Sequence, residues 1–555
     1  MVRFALLMIC ACIPEQQAKN PQTLSVLLSE PPESLDPRRG TSAVEMRVQE
    51  LIFRGLQRVG DDLSVVPDLA LSVTSSDAQH YKITLKKNVY FHPCFDGTPG
   101  GTLKAEDVAY SYTSLRDPRV GSRKERILAD VEGITFADGK GYDLQINLRR
   151  PMAAWMADNG TLGIIEKACA EKNPKAFAQH PSGAGALRFV GRDGDHRLIL
   201  KRFDPSLAFE TMELRVISDE TSRLLELLKG RADVLTVTPS RPLLAALKKR
   251  LELNLISAPG NGYSYLAFNM RIPELADKRV RRAITLAIDR ASIIEHKYLG
   301  LARPSAAMTP PDHWAHPKGL KPSPFDPKTA AALLDDAGWH TEAGLLEQPS
   351  NNKGKPVLRL EMRTTPEKFG RALSLVLKNQ LAAVGIDLQL RINDWGTLYT
   401  QVKKGNFQLV RMEWIPVLSP ALLDWVFHSD SRPGQKGSCA HVRDCPGDWI
   451  EGSETTSQRY SCSSGLCRRS GGNRGGYSNP QTDALLRRAE RSVNKAEQAD
   501  LYGQIQTLLG EDLPYVSLWH EDRVWIVRKP WSGVALKASG SLLGLLQARR
   551  TEGKL

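Results

Sequence analysis

The sequence predicts an α/β protein, and three stretches carry that prediction. Residues 265–268 (YLAF) form a short apolar run suited to a buried strand. After Asp277, Val280, Ala283, Ile284, Ala287, Ile288 and Ala291 recur at the spacing of one apolar helical stripe, with Lys278, Arg279, Arg281 and Arg282 on the other face. Further on, Leu373, Val376, Leu377, Leu381 and Val384 make a second stripe that ends at Gly385, and Ile386, Leu388, Leu390 and Ile392 then alternate as a strand does. Residues 81–85 alternate in the same way, ahead of a helix with Ala105, Val108, Tyr112 and Leu115 on one face. Strands that alternate with helices along a chain are the pattern of layered α/β architectures.

The other elements follow in order. Residues 23–28 read as a first strand, followed by the turn Ser34-Leu35-Asp36-Pro37, and residues 48–56 as a helix. Glu106 and Asp107 stand in the first turn of their helix, where the helix dipole favours carboxylates. Residues 198–203 and 213–217 are strands, and 221–228 a helix. Asp326-Pro327 gives a helix cap with proline at the first position, and Gly338 closes that helix. Asp289 stands where it would cap a further helix. Residues 358–364 are a strand, and Leu501, Ile505, Leu508 and Leu509 form a late stripe.

The chain has 555 residues, of which 41% are hydrophobic and 25% charged, the proportions of a globular protein of several domains. A net charge of +13 could attract an acidic ligand or an anionic membrane, or could reflect a basic proteome. The basic residues are spread over amphipathic helices, with no dense block of the kind a nucleic-acid arm carries. Arg3, the apolar residues 4–9 and the run Ile9-Cys10-Ala11-Cys12 resemble a lipoprotein signal, with Cys12 as the lipidated residue and residues 1–20 as the signal segment. The same run could instead form a buried strand. No later segment has the roughly 18 consecutive apolar residues a membrane-spanning helix needs.

Longer strings are more specific than periodicity. L-x-F-N, a proline, then D-x-R-V-R-x-A-I-x-x-A-I-D-R across residues 266–290 closely resembles the central motif of the family 5 solute-binding proteins, the peptide-, nickel- and opine-binding receptors of bacterial ABC importers. S-L-D-P at 34–37, P-x-L-A at 67–70, the block from Leu85 to Ser111, and P-x-G-x-G at 181–185 match further segments of that family in order. The resemblance implies a type II periplasmic-binding-protein-like fold, two lobes with a hinge plus an extra domain. It implies domain I from residues 21–63, 183–265 and 511–545, domain II from 64–182 and domain III from 266–510. It further implies a monomer at the periplasmic or cell surface that delivers a peptide or small-molecule solute to a membrane permease. No cofactor and no bound metal are expected.

The same resemblance places Trp395, Arg411 and Trp414 along the ligand cleft and Tyr110 near it from domain II, with ordinary core packing as the rival for each. Where oligopeptide receptors carry an aspartate that pairs with the peptide's ammonium group, three residues after the second tryptophan, this chain has Val417. Loss of that carboxylate implies weak binding of simple free-amine peptides. His92 is open to a ligand role or to loop packing, and packing is preferred. Residues 432–472 are rich in Ser, Gly, Arg and Cys, and read as an irregular surface insertion. Its cysteines (439, 445, 462 and 467) are spaced too widely for a usual zinc site; two disulfides or four free thiols fit. No G-x-S-x-G, H-E-x-x-H or P-loop string occurs, so the residues suggest a binding protein and not an enzyme.

Overall fold

The computed structural model describes residues 20–136, 141–339, 356–414, 417, 419–432, 436–437, 461–463, 466–468 and 472–551. Three sheets organise them. A seven-stranded sheet has the order Leu253–Ala258, Arg523–Arg528, Val234–Leu235, Thr23–Leu28, Thr211–Val216, Arg197–Arg202, Leu187–Asp193. A four-stranded antiparallel sheet joins Ala70–Thr74, His80–Leu85, Asp143–Leu148 and Val131–Phe136. A six-stranded sheet has the order Ala302–Pro304, Tyr515–Glu521, Tyr263–Phe268, Leu409–Trp414, Leu358–Thr364, Ile386–Ile392. The described residues pack into five apolar clusters, two at the seven-stranded sheet, two at the six-stranded sheet and one at the four-stranded sheet, so they form three packed bodies.

The central motif shows how the sequence builds one of these bodies. All six residues of Tyr263–Phe268 are buried, because the strand lies in mid-sheet with packed layers on both faces. Asp277 accepts a hydrogen bond from the Arg279 amide and starts the helix Lys278–Leu286. That helix stops earlier than a single stripe to Ala291 would require: Asp289 caps a new helix, Arg290–Tyr298, and Ala291 is exposed. Arg281, expected on the outer face, is 3% exposed. Its guanidinium donates to the carbonyls of Leu275, Ala276, Asp512 and Leu513, which are chain ends left without helical partners. A buried cation is tolerated here because four carbonyl dipoles surround it.

Other local expectations meet the same kind of accounting. In the S-L-D-P turn, Asp36 accepts from the backbone and guanidinium of Arg38, and both side chains are buried. His92 packs inside a loop: Nε2 lies 2.9 Å from the Gly185 carbonyl, and burial pushes its imidazole down to about 4. A Cβ on Gly185 would lie 2.4 Å from the Leu51 carbonyl oxygen, so the crossing chain needs glycine there.

The strands Tyr263–Phe268 and Tyr515–Glu521 belong wholly to the six-stranded sheet. The passages between it and the seven-stranded sheet therefore fall at residues 259–262 and at Asp522, and not at the expected boundaries near 265 and 511. Within the insertion expected to be irregular, Lys436–Gly437, Ser461–Ser463 and Leu466–Arg468 form a small antiparallel sheet, with Cys462 and Cys467 opposite one another in the backbone register. Cys439 and Cys445, and the expected signal with Cys12, lie outside the described residues.

Candidate functional site

Two neighbouring passages of chain join the large sheets, and the space beside them is polar. Gly260 permits their close approach, since a Cβ there would stand 2.1 Å from the Glu521 carbonyl oxygen. Arg523 crosses from one sheet to the other passage, donating to the Asn261 side-chain oxygen at 2.9 Å and to the Ala538 carbonyl at 3.1 Å. Arg241, at the start of helix Arg241–Leu247, pairs with Glu521 at 3.2 Å and lies over the Tyr298 ring. On the seven-stranded side a cavity of about 210 Å³ is lined by Glu30, Arg47, Thr236, Thr238, Arg523 and Trp525, among others. The site is thus built at strand ends next to a two-strand hinge.

Strand Leu409–Trp414 sorts the expected ligand residues by face. Met412 and Trp414 point to the cluster shared with Tyr263 and Tyr265, whereas Arg411 and Glu413 alternate to the opposite face. Trp414 stacks on Tyr265 at 6.0 Å and meets Trp425 edge-on at 5.4 Å. Arg474 lies over Trp414 at 5.2 Å and over Tyr399 at 5.1 Å, and Tyr399 stacks on Trp395 at 5.7 Å. One guanidinium therefore links the two expected tryptophans. Trp395 is 59% exposed, so most of its ring is open to a partner.

The other two expected residues stand apart from that pair. Arg411 shares its face with Glu413, whose carboxyl burial pushes up to about 7; Glu521 adds to that rise, while Arg411 and Arg523 oppose it. Tyr110 belongs to helix Ala105–Thr113 and packs against the core of the seven-stranded body, beside Arg38. Val417 is 1% exposed and its amide donates to the Asn261 carbonyl at 2.8 Å. The position that lacks a carboxylate thus points into the core.

A second, larger cavity of about 610 Å³ opens between the four-stranded body and the helical side of the third. Tyr81, Met156 and Asp158 line it from one side, and Trp314, Ser419, Lys495 and Tyr502 from the other. Asp158 and Arg474 were invisible to periodicity: one sits in a five-residue helix, Trp155–Asn159, and the other beside the insertion. Cys94 and Cys169 were likewise missed; they form a disulfide across 75 residues, and no local spacing announces it. Among the described residues, no group of three or more His, Cys, Asp or Glu could hold a metal ion.

Separate packed bodies joined by two adjacent passages, with polar groups gathered beside those passages, define a two-lobed binding protein of the hinge type. The profile of the bacterial extracellular solute-binding proteins, family 5, middle region, matches residues 64–432, and the chain belongs to that family. A probable di/tripeptide-binding protein 5 of Pseudomonas aeruginosa (strain UCBPP-PA14) is 24% identical over 549 residues, covering 93% of this chain and 94% of the relative. HbpA2 from Haemophilus parasuis has a similar fold at TM-score 0.78 and 20% identity, covering 95% of this chain and all of that one. The periplasmic binding protein DppA from Helicobacter pylori, solved with the peptide STSA, aligns at TM-score 0.65 and 21% identity, over 95% of this chain and 98% of that one.

Proposed function

We propose that this protein captures a peptide or related solute between its lobes and delivers it to an ABC permease in the membrane. The carrying observation is the hinge: residues 259–262 and Asp522 are the passages between the two large sheets, and charged groups line the space they span. Such an arrangement lets one lobe rotate onto a solute held by the other. Residues 21–63, 183–265 and 511–545 would act as domain I, 64–182 as domain II and 266–510 as domain III, with the two hinge ends adjusted to those passages. Trp395 and Trp414, joined by Arg474, supply stacking surface; Arg411 supplies charge, and Tyr110 borders the space from the other lobe.

The chain works as a monomer outside the cytoplasm, held by lipid on Cys12. The buried Cys94–Cys169 bridge supports that location, because such bonds persist in oxidising compartments. Native mass spectrometry of protein taken from its own host tests the ligand class. A retained peptide that shrinks the radius of gyration in X-ray scattering is the expected result. A retained metal chelate, or a ligand that leaves the scattering unchanged, overturns the peptide reading or the closure.

A further inference from the structure

The cavity between the four-stranded body and the third body contains a carboxylate that the hinge does not use. Asp158 lines it, and its side chain is exposed to the cavity. Ser419 lines the cavity from the opposite side, and its hydroxyl favours the ionised form of the Asp158 carboxyl. Among the described residues no lysine, arginine or histidine pairs with it. The ammonium on the cavity wall, that of Lys495, is held elsewhere: it lies over the Trp314 ring at 5.5 Å and 3.5 Å from Asp62. The phenols of Tyr81 and Tyr502 both feel the Asp158 charge, which places aromatic surface on two sides of the carboxylate.

A carboxylate on a cavity wall without a counter-ion leaves a negative potential there that a cationic ligand group can meet. The space, about 610 Å³, is within the range of sites for small ligands. Trp314 already carries one ammonium on its face, so the ring geometry there suits cations. Glu413 is the rival acid near the hinge, but Arg411 and Arg523 already face it. Asp158 has no such cation. We infer that Asp158, with Ser419 beside it, forms the subsite for a primary ammonium group, the N-terminus of a peptide whose first side chain lies among Tyr81, Trp314 and Tyr502.

This inference rests on the peptide reading, and supplies from the four-stranded body the charge that the chain lacks at Val417. It also reverses the expectation, drawn from Val417 alone, that free-amine peptides bind weakly. Desolvation by the cavity walls pushes the Asp158 carboxyl up to about 6, which is the state expected before a cation arrives. The titratable groups that line the cavity with it are Tyr81, Tyr502 and Lys495, and the carboxylates of Asp424 and Glu490 also act on the Tyr502 phenol.

The test uses a mixture of random di- to pentapeptides, free and N-acetylated, with retained species read by native mass spectrometry and affinities by calorimetry. Retention of free peptides by the wild type, with a loss of about tenfold or more in Asp158→Asn and no matching loss for acetylated ones, is expected. Asp158→Glu, which keeps the charge, should retain the preference for free amines. Tight binding of free peptides that Asp158→Asn leaves unchanged overturns the subsite alone, leaving the peptide reading intact. Wild-type binding of acetylated and free peptides with equal affinity also overturns it, and needs no variant to fold. Retention of neither form overturns the peptide reading and the subsite together.

Discussion

Replacing both Cys94 and Cys169 by alanine should free a loop whose ends lie 75 residues apart in sequence. Cys94 lies 7% exposed in the loop after strand His80–Leu85, and Cys169 lies 2% exposed in helix Lys167–Lys172. Both belong to the core beneath the seven-stranded sheet, so the bridge pins the four-stranded body's outer loop to that core. The loop-closure relation for a ring of this size gives about 4.5 kcal/mol of lost stability. That figure corresponds to about a thousandfold or more in local opening. Hydrogen exchange is the suitable assay, because a chain with several packed bodies need not unfold in one step. Protection should fall in helix Lys167–Lys172 and the neighbouring strand Leu187–Asp193, and remain in strand Ile386–Ile392, which is in another body. Two reactive thiols at these positions in protein exported to an oxidising compartment would refute the bridge. Unchanged protection in the double variant would refute the magnitude.

Trp395→Ala should weaken whichever solute is retained by about 1 kcal/mol or more with little change in melting temperature, since the ring is 59% exposed. Trp414→Ala should reduce both binding and stability, because its ring packs against Tyr265 and Trp425; intact affinity in both variants removes them from the cleft. The Asp158 carboxyl stands at about 6 in the folded chain, above the unfolded value of about 3.9, so the folded state holds that proton more tightly. Its contribution favours folding below pH ~4 and is lost as pH rises through about 6. Because the side chain is exposed to the cavity and screened by solvent, Asp158→Asn should melt only slightly higher than the ligand-free wild type at pH 8 and no higher at pH 4, and an equal difference at both pH values would contradict the raised carboxyl.

Much of the scaffold was legible because the patterns that announce it are local. The stripe at Leu373, Leu377 and Leu381, the closing Gly385 and the alternation after it appear as helix Lys368–Ala382 and strand Ile386–Ile392. Asp326 caps its helix by accepting from the Thr329 amide, as its place before proline implies. Arg281 shows where such reasoning stops. Its helical position says outer face, but two of the four carbonyl ends it meets are supplied by residues more than two hundred positions later. The site was less legible for the same reason. Trp395 and Trp414 were named, yet Arg474 joins them from beyond the insertion, and Asp158 faces Ser419 across two bodies. Arg411 and Trp414 are three residues apart on a strand, and that odd spacing sends them to opposite faces.

The hinge reading has a sharper consequence at Gly260. A methyl group there would meet the Glu521 carbonyl oxygen at 2.1 Å, far inside contact distance, and the obstacle is backbone, which cannot rotate away. The two passages would have to separate. Close by, the Asn261 Nδ2 and the Ser264 Oγ are buried with no hydrogen-bond partner, so this stretch already holds polar groups unsatisfied in one arrangement of the lobes. Separation would also pull on the bonds that cross the hinge, Arg523 to Asn261 and Arg241 to Glu521. None of these belongs to the central packing of a lobe. Gly260→Ala should therefore leave hydrogen-exchange protection in strands Thr23–Leu28 and Leu358–Thr364 near wild type while abolishing ligand-induced compaction in solution scattering. A variant that closes normally on its ligand would show that the lobes do not move about these passages, and the cleft would have to be sought elsewhere.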